Sequence, residues 1–300
     1  MRVRVVLLGV FLAELLTRVT DHRGYWHLLH LIARIAPDEL MPVISKGVAL
    51  EISPRDPYWL RIAAPHYTYE PEVLEILGRW SDLPIDFIDA GANIGYWSLL
   101  VADRFPKAQV IAIEPNPQVF RVLEKNTEQT NSRISLLKAA VVTSLDDQTT
   151  LYVPHSGQFH TDGSVLRPKS GLAHQAFEIP AIRLEDLIAD QLASSQLIIL
   201  KLDVEGMEQS IFEDMASKPI DSRIALIYED HGNDAQHKAT LSLMATRAFD
   251  IYFLQSNVPP LAIDTVESLR VFKSRSSKGY NLVAVPKTGP WSRHTHRLQT

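Results

Sequence analysis

Cysteine is absent from all 300 residues, which excludes disulfides, a thiol nucleophile and a cysteine-ligated zinc site. That absence fits a reducing, cytoplasmic setting. Basic excess is also missing: 30 Lys and Arg stand against 35 Asp and Glu, a formal net charge of -5. Without a basic stripe to contact phosphates, the composition argues against a nucleic-acid partner. No apolar run is long enough to span a bilayer. The run from Met1 to Leu16 starts with Arg2 and Arg4, as a secretory leader would, but Glu14 interrupts it and no small-residue cleavage site follows. It reads as an amphipathic helix packed on the domain or on a second copy of the chain, with peripheral membrane contact as the alternative. His22 to Ile35 continues as a second helical pattern, so residues 1–45 are expected to form a helical appendage.

A composition 46% apolar and 22% charged suffices for one large α/β domain, assigned to residues 46–286. Its most informative segment is Ile85-Asp-Phe-Ile-Asp-Ala-Gly-Ala-Asn-Ile-Gly95: an apolar strand, an acid, a glycine turn, then a helix start. This order builds a ligand pocket at the carboxyl edge of a parallel sheet. The spacing Gly91-x-x-x-Gly95 lacks the third glycine of a dinucleotide fingerprint. Asp89 instead stands at the entrance, suited to a cationic or amino-acid-like group. About twenty residues on, Val110-Ile-Ala-Ile-Glu114 reads as a strand ending in a carboxylate placed to accept both hydroxyls of a ribose. A ligand with a ribose, a positive centre and no phosphate satisfies both acids; S-adenosylmethionine is such a ligand. A third strand, Leu197-Ile-Ile-Leu-Lys-Leu-Asp-Val-Glu-Gly206, puts Lys201, Asp203 and Glu205 on one face of an extended segment at the same edge.

Asp89-Ala-Gly-Ala-Asn-Ile-Gly95, Glu114-Pro-Asn-Pro117, Lys201-Leu-Asp-Val-Glu-Gly-Met-Glu208 and Tyr228-Glu-Asp-His231 together resemble the FkbM family of S-adenosylmethionine-dependent methyltransferases. The resemblance runs from about Tyr67 to Pro286. It implies a Rossmann-like class I fold: a mostly parallel, seven-stranded, doubly wound sheet with an antiparallel last strand. It implies O-methylation of hydroxyls on sugars, glycans, glycolipids or secondary metabolites. Carried over onto this chain, it implies a cofactor site of Asp89, Gly91, Ala92, Asn93, Gly95, Glu114, Pro115, Asn116 and Asp203. It also places the segment of Tyr67, Tyr69 and Glu70 beside the cofactor.

Methyl transfer to an alcohol needs in-line approach and a base. The strand order brings Asp203, Glu205 and His231 to the reacting edge; His231 has the intrinsic pKa for the task, and Lys201 is placed to pair with an acid. Asp203, Glu205, Glu229 and Asp230 supply enough carboxylates for a divalent ion, yet the resemblance requires none and no metal is expected. Thr149–Val153 and Phe177–Ile182 read as strands flanking a polar loop, Pro154 to Gln175, whose Phe159, His160, Asp162 and Ser164 make it the expected acceptor lid. Val48–Ile52 and Tyr58–Ile62 read as short strands, and Ile134–Val142 as one strand. Nothing after Pro286 is patterned, so residues 287–300 are expected to be disordered. Two rival functions share the fold: a catalytically silent binding protein, expected to lose the acids at 89, 114 and 203 together, and a nicotinamide-dependent oxidoreductase, for which no hydride-transfer set is present.

Overall fold

The computed structural model describes residues 2–18, 24–128, 130, 133–154, 164–165, 173–204, 206–231, 237–273 and 279–299. An antiparallel helical pair, α1 (Arg2–Arg18) and α2 (Tyr25–Ile35), leads into the hairpin β1 (Met41–Ser45) and β2 (Val48–Ile52). Residues 41–45 therefore belong to a strand, and the helical appendage ends before them. The segment expected as a strand at Tyr58–Ile62 is helical instead: α3 (Pro57–Leu60) runs into a 3-10 turn, Arg61–Ala63. Asp56 accepts hydrogen bonds from the Tyr58 and Trp59 amides, and Pro57 occupies the first turn, so local capping outweighs the apolar alternation.

The core alternates strand and helix: α4 (Pro71–Arg79), β3 (Ile85–Ala90), α5 (Tyr96–Arg104), β4 (Val110–Ile113), α6 (Pro117–Thr127) and β5 (Ile134–Leu137). A satellite sheet follows, made of β6 (Ala140–Val141), β7 (Gln148–Pro154) and β8 (His174–Ile182) in the order β6-β8-β7. The stretch read as one strand at Ile134–Val142 is thus split between two sheets. Next come α7 (Leu184–Gln191), β9 (Leu197–Leu202), α8 (Glu208–Ala216), β10 (Ile224–His231), α9 (Lys238–Ala245), β11 (Phe249–Phe253), β12 (Leu261–Ala262), α10 (Val266–Phe272) and β13 (Gly279–Pro286).

The main sheet has the order β12-β11-β13-β10-β9-β3-β4-β5. It contains one more strand than the expected seven, because the two-residue β12 pairs with the edge of β11. The last strand, β13, is antiparallel to both of its neighbours. Strands β3 and β9 lie side by side in parallel register, Asp89 opposite Lys201. The chain leaves β3 toward β4 and β5 on one side and reaches β9 and β10 on the other, so the order reverses there. Ligands bind at such a crevice. Both faces of these strands are covered, by one cluster that includes Phe87, Ile199 and Ile227 and another that includes Ile88, Leu200 and Tyr228, which is why their sequences read as continuous apolar runs.

The carboxyl tail departs from expectation. Pro290–Leu298 forms a 3-10 helix, and the fully buried Trp291 packs 4.8 Å from Trp80 while its Nε1 donates to the Arg223 carbonyl at 2.6 Å. Trp291, the buried Leu298 and the Arg297–Asp82 ion pair fix a segment that has no periodic pattern to reveal it.

Candidate active site

The site grows from the end of β3. Both the Gly91 and Ala92 amides donate to the Ile113 carbonyl at 2.9 Å, pinning the turn against β4. Gly91 has φ 84°, and a Cβ there would lie 1.8 Å from the Asp203 carbonyl oxygen. The backbone just past β9 therefore demands a glycine here, besides any close approach of a ligand. Gly95, φ 90°, lets the start of α5 close on Leu123 of α6, 2.7 Å from a built Cβ, so it serves helix–helix packing.

Glu114 follows β4 and lines the cavity. Its Oε2 accepts from the Asn93 amide at 2.9 Å and its Oε1 from the Asn116 amide at 2.8 Å. Two backbone donors therefore hold the carboxylate in place and leave further lone pairs facing the cavity. Burial pushes its pKa up to about 7, against these stabilising hydrogen bonds. Pro115 also lines the cavity. Asn116, by contrast, is buried and caps α6 by accepting from the Gln118 amide at 3.0 Å. Asn93, φ 53°, lines the cavity and accepts from Trp59 Nε1 at 2.9 Å.

Asp89 does not stand at the entrance. It is 1% exposed, accepts from Ser98 Oγ at 2.6 Å, and is absent from the cavity lining; burial raises its pKa. As the strand residue before the turn, it points between β3 and α5, tying the two together.

Opposite the turn, three carboxylates converge around an ammonium. Oxygens of Glu70, Asp203 and Glu229 all lie within 4.8 Å of one another, and Lys201 Nζ, 4% exposed, sits 3.2 Å from Asp203 Oδ2. Burial alone would lower the Lys201 pKa, but Asp203, Glu70 and Asp89 outweigh it and keep the amine protonated. Glu70 has the left-handed φ of 38° with no side-chain cap; instead its Oε2 accepts from Trp97 Nε1 at 2.9 Å. Burial pushes its pKa up to about 7, with Asp203 and Glu229 adding to the rise and Lys201 opposing it. This is the one carboxylate triad of metal-ligating geometry among the described residues, where Lys201 already supplies positive charge. Asp230, weighed with them from sequence, turns the other way: it accepts from Lys273 at 2.6 Å and from Thr240 at 2.5 Å.

Glu208, the last acid of the Lys201–Glu208 motif, has a structural role. Buried at 2% exposure, it accepts from the Val204 and Gly206 amides at 2.9 Å and so shapes the loop that follows Asp203. Of the aromatic wall, sequence reasoning found Tyr69 alone. Tyr58, Trp59, Tyr69, Tyr96 and Trp97 line the cavity as a continuous cluster with ring centroids 5.1–6.1 Å apart, and the Tyr58 and Tyr69 hydroxyls lie 2.8 Å apart. Trp97 lies two residues past Gly95, a neighbour the glycine motif could have flagged; Tyr58 and Trp59 are distant in sequence and carry no signal. Of the expected lid, Phe159, His160 and Asp162 lie outside the described residues, as does Glu205; the His231 side chain is likewise undescribed. Ser164 exchanges backbone hydrogen bonds with Tyr152 at 2.9 and 3.1 Å, and the adjacent Val165 reaches the cavity.

The switch-point crevice and its anchored acid define a Rossmann-like methyltransferase site. The chain matches the methyltransferase FkbM domain over residues 89–251, more than half its length, and belongs to that family, with S-adenosylmethionine as its methyl donor. It is 23% identical over 171 residues to Methyltransferase 1 of Beauveria bassiana, covering 51% of this chain and 69% of that protein. To Methyltransferase sdnD of Sordaria araneosa it is 25% identical over 152 residues, covering 42% and 58%. A solved structure of P. horikoshii TYW2 in complex with MeSAdo aligns with TM-score 0.40 and 13% identity over 83% of this chain and 71% of that one. At that level the alignment adds nothing to the topology described above.

The residues present fit the cofactor. Glu114 offers fixed acceptors for ribose hydroxyls, the Gly91 turn offers a close backbone approach, and the acidic cluster suits the ammonium and sulfonium charges.

Proposed function

We propose that this chain O-methylates a hydroxyl of a sugar, glycan, glycolipid or related secondary metabolite. The observation that carries the reading is the make-up of the cavity that the Gly91 turn and Glu114 also line: an aromatic wall of Tyr58, Trp59, Tyr69, Tyr96 and Trp97 shares it with Asp203, Glu229 and Lys201. Aromatic faces cover the C–H groups of a sugar ring, while carboxylates and an ammonium pair with hydroxyls that would otherwise be desolvated. The bound cofactor supplies an electrophilic methyl group on a sulfonium. Asp203, fixed by Lys201, accepts the hydroxyl proton as the acceptor oxygen attacks, and Glu229 holds a neighbouring hydroxyl. Gly279 permits this placement, since a Cβ there would overlap Glu229 Oε1 at 1.3 Å. His231 ends β10 opposite Gly279 and competes with Asp203 for the role of base.

Steady-state kinetics decide between them. Asp203→Asn is expected to lower kcat by roughly 100- to 10,000-fold, with His231→Ala retaining turnover; the reverse pattern moves the base to His231. The loop from Pro154 to Gln175 is proposed to cover the acceptor, because Val165 already returns to the cavity wall. Replacing it by a short Gly-Ser turn should raise KM for the acceptor while sparing cofactor affinity, and unchanged KM and kcat would remove the loop from recognition.

A further inference from the structure

We propose that the outer face of the α1–α2 pair is a docking surface for an anionic lipid bilayer. Helix α1 is apolar on two sides. One side, with Val6 and Val10, is buried in the core; on the other, Val5, Leu8, Phe11, Leu12, Leu15 and Leu16 are 42–65% exposed. At about 100° per residue these six span an arc of roughly 140°, wider than a coiled-coil seam. The patch continues onto α2, because Val5, Ile32 and Ile35 line one groove between the helices, and Leu31 and Ile35 are 57% and 80% exposed. A continuous apolar surface of this kind marks an interaction site.

Charge selects the occupant. Residues 2–36 carry five arginines against Glu14 and Asp21, a net of +3 in a chain whose total is -5. The two helices contain a single acid, Glu14, which is only 5% exposed, whereas Arg4 and Arg34 are exposed. Arg4 falls within the apolar arc of α1. A second copy docking on the α1 face would bring the same arginines, its exposed acids here being confined to Asp38 and Glu39 at the end of the groove, where Asp38 already pairs with Arg55 at 2.9 Å. An anionic headgroup layer supplies the missing negative charge and lets Arg4 extend to it while the leucines enter the acyl boundary. With no helix long and apolar enough to cross a membrane among the described residues, the contact is a peripheral one. The helical pair also abuts α3 and the Arg61–Ala63 turn, the segment that carries Tyr58 and Trp59, so the docking face adjoins the cavity wall.

Flotation of the full chain with vesicles tests this. The chain should float with equimolar phosphatidylcholine–phosphatidylglycerol vesicles and at least about tenfold less with phosphatidylcholine alone. Leu8→Glu, Leu12→Glu and Leu15→Glu combined should reduce flotation by about a hundredfold, with the melting temperature and S-adenosylhomocysteine affinity of the native chain retained because all three side chains are exposed. A native chain that stays unbound with the anionic vesicles overturns the proposal. So does a native dimer in light scattering that ignores vesicles and becomes monomeric in the triple variant, since the face would then be a self-association surface.

Discussion

Replacing Glu114 by alanine removes two things at once, and the structure allows them to be separated. The carboxylate takes one backbone hydrogen bond on each oxygen, from Asn93 and Asn116. Its loss leaves two amides seeking partners, at about 1–3 kcal/mol each if they stay buried and dry. Part of that cost is offset, because burial already disfavours the charged group, as its raised pKa shows. The net change in stability is therefore a modest fall in melting temperature. Affinity for S-adenosylhomocysteine depends on the charge-assisted bonds to the ribose hydroxyls and should weaken by about 1.5–3 kcal/mol, roughly 10- to 150-fold in Kd. Glu114→Gln refines the comparison: one amide finds the side-chain oxygen, but the other meets an NH2 group, donor against donor. Titration calorimetry on the folded variants reads the binding term alone. An unchanged Kd in folded Glu114→Ala would refute the ribose placement.

Gly91→Ala should cost several kcal/mol by melting, since it adds left-handed strain of about 1–2 kcal/mol to the clash with the Asp203 carbonyl; a variant as stable as the native chain would contradict the packing of β3 on β9. The pKa values of Glu70 and Glu114 are pushed up to about 7, so the folded state holds protons that the unfolded chain has already released. Their contribution to stability falls as pH rises from the ordinary glutamate value to about 7 and is level above it. On the proposed placement the ribose hydroxyls pair with ionised Glu114, so S-adenosylhomocysteine should bind more tightly at about pH 8 than at about pH 6, and Glu114→Gln should reduce that dependence. Calorimetry at both pH values that finds equal affinity contradicts the assignment. Trp291→Ala should destabilise by about 3–5 kcal/mol while sparing the cofactor site, which a melt and a binding titration check together.

The parts of the fold that sequence reveals are those written in local patterns. Continuous apolar strands ending in Asp89, Glu114 and Asp203, each followed by a helix, gave away the parallel sheet and its switch point. Interactions between distant segments left no such trace. Asp89 has the motif position of a ligand-facing acid, yet the strand's alternation turns it toward Ser98. Asp56 and Pro57 convert an apolar stretch into a helix that delivers Tyr58 and Trp59 to a site assembled 30 residues later in the chain. Glu70, at the N-cap of α4, meets Asp203 and Glu229 only in the folded chain. Trp291 secures a tail that has no periodicity of its own.

The central claim, a cofactor site built on the Gly91 turn and Glu114, is tested most directly by a crystal structure of the chain soaked with S-adenosylhomocysteine. The account predicts ribose hydroxyls within hydrogen-bonding reach of Glu114, the amino-acid end over Gly91 and Ala92, and sulfur facing the Lys201–Asp203 pair. Density for the ligand anywhere else, such as the groove between α7 and α8 lined by Leu184, Ile188 and Met215, would contradict it.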